Sequence, residues 1–255
     1  MHGRGYQNPG GMQFGPPMTP PVVKQLMIVN AVVFVAQALF QGGMIEGLFA
    51  VRPVQVWQGG FLWQPFTYMW LHGGLLHVAM NMFVLWMFGS PLAMAWGPKR
   101  FLRYYLICGV GAGFIIATYP YLMYALGGAA NLTIPTLGAS GAVYGLVLAY
   151  SPTWPERTIM LIFPPVAFKA IWLIPIMFVM TLMSPGAGNI SHTGHLGGVI
   201  VGWLLLRREG RAGKLFSLEQ LKYRWRRYRM KQKLRAVKYE EFEQRRQRDD
   251  DTRYH

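Results

Sequence analysis

Apolar residues gather along the chain in six stretches, at residues 24–41, 74–96, 101–126, 140–150, 165–183 and 193–206. A helix that crosses the hydrocarbon core of a bilayer needs roughly 20 apolar residues. The second, third and fifth stretches meet that length, while the fourth and sixth are too short to span alone. The pattern predicts an all-α bundle of six membrane helices, two of them short. The connection at residues 42–73 is too long for a tight turn. It carries Trp57, Phe61, Trp63, Tyr68 and Trp70, and aromatics at that density suit the headgroup boundary. It is expected to form a structure lying on the outer leaflet.

Composition sharpens this picture. Of 255 residues, 53% are hydrophobic and 14% charged, yet the net charge is +15. Soluble domains run near 25% charged. Residues 207–255 hold 17 of the 25 Lys and Arg, whereas residues 22–206 hold seven, with Glu46 and Glu156 as their acids. An apolar body with a basic tail excludes a conventional soluble enzyme and a disordered chain. The lone cysteine, Cys108, excludes a disulfide scaffold and a Cys-based zinc site. Lys and Arg mark cytoplasmic loops. Arg4 and Lys24, then Lys99, Arg100 and Arg103, then Arg157 and Lys169, then the tail alternate with connections that hold Arg52 alone. Six spans with both termini on the cytoplasmic side satisfy every loop.

Three domains are expected: a flexible, Gly- and Pro-rich terminus at residues 1–21 with no signal-peptide pattern, a body at 22–207, and a basic tail at 208–255. In the tail, Ser217, Leu218, Glu219 and Gln220 form a capping-box pattern. Leu218, Leu221, Trp225 and Tyr228 follow at helical spacing and predict a surface helix. Clustered Lys and Arg beside a membrane attract anionic lipid by about 1 kcal/mol per residue. A solvated helix that only sets topology is the plain alternative, and nucleic acid is not an expected partner.

Strongly polar groups inside apolar stretches are functional candidates, because burying them in hydrocarbon is costly. Three places qualify. His72 and His77 precede Asn81 at the start of the second stretch; Gly138, Ala139, Ser140 and Gly141 open the fourth; His192 and His195 open the sixth. Counted from Ser151 and Arg207, Ser140 and His195 both lie roughly 17 Å from the inner surface, at about 1.5 Å per residue. Two short helices thus start at one depth, and each presents a reactive side chain near its start. Water must reach those starts, or their leading N–H groups would be unsatisfied. Gly141 and Gly145 on one helix, and Gly194, Gly198 and Gly202 on the other, are four residues apart and allow close approach.

A Ser–His pair normally has a carboxylate behind the histidine. The body offers only Glu46 and Glu156, both in connections, so a dyad of Ser140 and His195 is expected. Tyr144, one turn after Ser140, either stacks on the His195 ring or simply fills the core. His77 and Asn81 share a helical face, and with the Ser140 N–H they could stabilise an oxyanion. A straight helix from Gly97 would raise Asn81 to about 24 Å, above Ser140. The four histidines also admit a metal or haem reading, although no HExxH motif is present and carboxylate partners are lacking. No metal and no cofactor are expected.

His77-x-x-x-Asn81, Gly138-Ala139-Ser140-Gly141 and His195-Leu-Gly-Gly198-x-x-x-Gly202 together resemble the signature of the rhomboid family of intramembrane serine proteases, over residues 24–206. The resemblance implies Ser140 as nucleophile, His195 as general base, His77, Asn81 and the Ser140 amide as oxyanion donors, and Tyr144 beside His195. Gly138, Gly141 and Gly198 support that site, and His192 is not the catalytic histidine. It also implies transmembrane proteins as substrates and lateral entry from the lipid, with the fifth helix as a gate around Trp172. Two positions depart from the family pattern. Trp63-Gln64 stands where Trp-Arg is common, and Ala93 where a Glu often follows the Gly of the second helix; both bear on how the first connection is anchored. With no soluble domain ahead of the first helix, the form looks like the compact bacterial one, in an inner membrane. A six-span transporter and a derlin-like binding protein are the competing readings.

Overall fold

The computed structural model of the chain describes residues 15–40, 43–129, 131–160, 166–182, 192–209, 226 and 229–230. Residues 1–14 of the flexible terminus expected over residues 1–21, and nearly all of the expected tail helix, lie outside the described residues. The chain divides into two units, Met1–Leu206 and Arg207–His255, of which the first holds the apolar body.

Helix α1 spans Pro21–Leu39. Proline opens it well, since an N–H at the first helical position would have no partner and the ring presets φ. Val22, Val23, Leu26, Asn30 and Gln37 face inward. Ile28, Val32, Val35 and Leu39 form an exposed apolar stripe at helical spacing. In water that stripe would cost about 25 cal/mol per Å², whereas against lipid it is at home. Leu75, Leu76 and Met80 expose a similar face. Among the described residues, three helical segments, Pro21–Leu39, Leu75–Trp96 and Pro98–Ala125, are long and apolar enough to cross a membrane.

The first connection folds into α2 (Gly43–Phe49), α3 (Pro53–Trp57), α4 (Gln64–Thr67) and a 3-10 turn at Tyr68–Trp70. Gln64 is fully buried. It accepts from the Arg52 N–H at 3.0 Å and donates to Gln55 Oε1 at 2.7 Å and to the Leu48 carbonyl at 3.4 Å. Trp63 Nε1 donates to the same Leu48 carbonyl at 2.9 Å. A neutral amide therefore ties the connection together where the family often has Arg, while Ala93 is buried and brings no polar group.

Trp57 and Trp63 remain exposed, as boundary aromatics would. Tyr68 departs from that expectation: it is buried, and its hydroxyl donates to the Gly109 carbonyl at 2.8 Å. The cause is the long helix α7, Pro98–Ala125. Its Gly113 leaves a bare strip that Pro65 and the Tyr68 ring occupy. The connection is thus pressed against α7.

The second apolar stretch is interrupted. After α5 (Leu75–Val84), Leu85–Gly89 form a π turn before α6 (Ser90–Trp96). A π turn packs extra residues into one turn, which shortens the helix and lowers Asn81 relative to a straight one. Gly97, at φ 78°, then makes the sharp turn into α7.

Helix α8 (Ser140–Thr153) is central: ten of its fourteen residues are buried. That agrees with its being apolar on all sides. Beyond it, β1 (Thr158–Met160) pairs antiparallel with β2 (Ala167–Lys169), with Ile159 opposite Phe168. An ion pair of Lys169 with Glu156 reinforces the hairpin. The expected fifth helix from residue 165 therefore starts later, through a 3-10 turn at Ala170–Trp172 into α9 (Leu173–Leu182). Backbone bonds from Ala170 to Arg157 and from Ile171 to Pro155 hold its start. Helix α10 covers His192–Arg208.

Candidate active site

Ser140 is the first helical residue of α8; Ala139 occupies the cap, and no side chain caps the helix. Ser140 is therefore not spent as a cap, and the leading N–H groups of α8 stay available. The serine is half-buried.

Helices α8 and α10 run parallel at backbone contact. A Cβ added to Gly198 would overlap the Gly141 carbonyl oxygen. One added to Gly145 would sit 3.3 Å from the Gly198 carbonyl, and one at Gly202 3.3 Å from the Gly145 Cα. A Cβ at Gly141 would sit 3.3 Å from the Gly194 carbonyl. This register sets the first turns of the two helices side by side.

The His195 ring lies flat on Tyr144, with centroids 4.2 Å apart and planes 8° apart. The Tyr144 hydroxyl donates to the Met177 carbonyl of α9 at 3.4 Å. Tyr144 thus joins three helices through one ring, which is more than filling space. Glu46 meets Gln37, and Glu156 pairs with Lys169.

His77 enters from α5. The Gly73 N–H donates to its Nδ1 at 3.3 Å. A backbone N–H can only donate, so Nδ1 accepts and the neutral ring carries its proton on Nε2. That nitrogen faces Gly138, where an added Cβ would come within 2.9 Å. Gly138 also has φ +124°, a conformation side chains rarely adopt. Its N–H donates to the Tyr68 carbonyl at 2.9 Å. Asn81 is buried, and its amide donates to the His77 carbonyl at 3.0 Å, one turn back.

The sequence reading gave His72 no role in the site and missed Gln37 altogether. His72 is only 2% exposed and stands edge-on to His77, centroids 5.1 Å apart. Its ring nitrogens have no hydrogen-bond partner of good geometry. Burial, then the proximity of His77, lowers its pKa to about 4, so the ring is neutral near pH 7. Gln37 of α1, 4% exposed, clamps the His72 backbone from 35 residues away. The signal was present: Gln37 and Asn30 are polar residues within an apolar stretch, the criterion that singled out the other candidates.

Among the described residues, no group of three or more His, Cys, Asp or Glu side chains could hold a metal ion. Trp172 is exposed at the start of α9, the end tied to Arg157 and Pro155 beyond the Thr153 end of α8. Further along α9, the Met177 carbonyl reaches Tyr144.

A family model described as Rhomboid domain matches residues 59–210. Rhomboid protein 1, mitochondrial, of Saccharomyces cerevisiae is 32% identical over 143 residues, covering 52% of this chain and 39% of that protein. Presenilin-associated rhomboid-like protein, mitochondrial, of Mus musculus is 34% identical over 134 residues, covering 51% and 34%. RHOMBOID-like protein 12, mitochondrial, of Arabidopsis thaliana is 30% identical over 199 residues, covering 73% and 59%. The chain thus spans about a third to three fifths of the length of these relatives. They overturn the expected bacterial inner membrane and the cytoplasmic placement of the termini that went with it. Hydropathy and loop charge report that there is a bilayer, not which one.

Proposed function

The chain belongs to the rhomboid family, and from that premise we propose that it is a multi-pass intramembrane serine endopeptidase cutting other membrane proteins in or near their spanning helices. The observation that carries this reading is the His195 ring stacked on Tyr144, one turn from Ser140, across a glycine contact that admits no side chain. Ser140 Oγ attacks the scissile carbonyl while His195 takes its proton. The same proton passes to the leaving amine, giving an acyl-enzyme that water hydrolyses by the reverse route. The face of Tyr144 orients the His195 ring. The Ser140 N–H at the positive end of α8, His77 Nε2–H and the Asn81 amide receive the oxyanion; Asn81 turns from the His77 carbonyl to do so.

In this reading six helices span the bilayer, with α8 and α10 as the short ones. Following the mitochondrial relatives, the bilayer is that of a mitochondrion. The basic tail lies against anionic lipid. The test is cleavage of a single-span substrate by the detergent-solubilised protein. Ser140→Ala is expected to abolish cleavage. If it cleaves as well as the wild type, the protease reading falls and a binding protein of the same fold takes its place.

A further inference from the structure

We propose, resting on that reading, that Gln37 of α1 is a positioning residue that holds the His77 ring in its donor orientation through the peptide of His72. The side-chain amide of Gln37 meets the His72 backbone on both sides of its Cα, which is the sense in which the peptide of His72 is held. Its Oε1 accepts from the His72 N–H at 2.9 Å, and its Nε2 donates to the His72 carbonyl at 3.4 Å. Paired bonds to the N–H and the C=O of one residue fix the orientation of its backbone as well as its distance, as a hydrogen-bonded residue pair of an antiparallel β-ladder does. The second N–H of the amide reaches Glu46 Oε1 at 3.5 Å, so the clamp is itself held from α2.

The clamped peptide leads directly into the support of His77. Gly73, the next residue, donates the N–H that occupies Nδ1. The His72 side chain packs its edge against the His77 ring at an angle of 68°. Both contacts that orient the ring on this side come from His72 and Gly73. Neither residue belongs to a helix, since the 3-10 turn ends at Trp70 and α5 starts at Leu75. A segment without its own helical hydrogen bonds needs an outside partner to keep one geometry. Gln37 supplies it, and a buried amide inside an apolar helix is costly unless it is paired in this way.

The consequence lies in the tautomer. With Gly73 N–H on Nδ1, the proton stays on Nε2, facing Gly138 next to Ser140. Without the clamp the segment can rotate, and the ring can take the other tautomer or turn away. A residue that merely tied α1 to the first connection would change stability but would leave both the tautomer and the catalytic coupling to His77 untouched.

The experiment uses the full-length protein in micelles with 15N-labelled histidine, comparing wild type with Gln37→Met, a substitution of similar length and no hydrogen bonds. The His77 resonances are assigned by their loss in His77→Ala. The wild type is expected to show protonated Nε2 and bare Nδ1, and Gln37→Met a mixture of tautomers. Turnover is measured alongside. Gln37→Met is expected to lower kcat at least tenfold with KM within twofold, and to lower it less than twofold further in a His77→Ala background. An unchanged tautomer in Gln37→Met, or a full multiplicative loss in the double variant, overturns the proposal. Should Gln37→Met melt more than 10 °C early, Gln37→Asn, which keeps the amide but falls a methylene short of the peptide, is expected to give the same tautomer mixture. Activity that survives Ser140→Ala defeats the protease reading alone, because the tautomer measurement does not depend on cleavage.

Discussion

Gly73 donates its N–H to Nδ1 of His77, and that bond decides which nitrogen of the neutral ring carries the proton. If His77 and Asn81 act as oxyanion donors, His77→Ala or Asn81→Ala lowers kcat by 10²–10³, about 2.7–4 kcal/mol, with little change in melting temperature. Unchanged kcat in both variants would remove them from the machinery. His72 gives a prediction of another kind. It lies before the second span, and burial lowers its pKa from 6.5 to about 4. In that window the unfolded chain takes up a proton at this residue and the folded chain does not, so folding stability falls as pH drops from 6.5 towards 4. The loss is about 1.4 kcal/mol per pH unit across the window. Thermal unfolding of wild type and His72→Phe between pH 7 and 4.5 is expected to show a shallower decline in the variant. Equal slopes would mean that His72 is hydrated or charged in the fold.

Between elements, the approach of α8 and α10 is set by bare backbone. Gly198→Ala places a methyl group where the Gly141 carbonyl already lies, so the first turns must separate. Cleavage efficiency is expected to fall at least tenfold, because a shift of about 1 Å in a catalytic pair can cost 10²-fold. A fully active Gly198→Ala would contradict the close packing. Gly47→Ala in α2 serves as the control, since an added Cβ there meets nothing within 4 Å and alanine favours a helix over glycine; it is expected to be neutral or slightly stabilising. The π turn at Leu85–Gly89 shows what local sequence leaves open. Leu85, Trp86, Met87 and Phe88 are as apolar as the rest of their helix, and the choice between i−4 and i−5 bonding depends on how their side chains fit neighbouring helices. That fit brings Asn81 down from the height a straight helix would give it.

For the molecule as a whole, the proposed chemistry limits the substrates. Carbonyls in a helix are hydrogen-bonded and shielded, so Ser140 needs an extended segment and the substrate helix must unwind locally. Spans bearing Gly or Pro near the cut, which cost about 1 and 3 kcal/mol per residue in a helix, are expected to be cleaved faster than the same spans with Ala there. The check is mass spectrometry of the fragments from matched single-span substrates. Equal rates would show that unwinding does not limit turnover.

Sequence alone determined the membrane body, the basic tail and the family. Apolar stretches about as long as a bilayer is thick, charges gathered in the connections and at the ends of the stretches, and motifs around Ser140, His195 and Asn81 are properties of residues read in order. It also marked Gly141, Gly145, Gly198 and Gly202, because glycines four apart lie on one helical face wherever that helix is placed. Tertiary structure decided the rest. Gln37 and His72 meet across 35 residues. Gln64 finds its partners on Arg52, Gln55 and Leu48. Tyr68 is drawn from the lipid boundary onto Gly109, and the β1–β2 hairpin takes the first residues of the expected fifth helix. In each case a polar group or a backbone edge in low-dielectric surroundings must find a partner, and which partner lies within reach is a property of the folded arrangement, not of spacing along the chain.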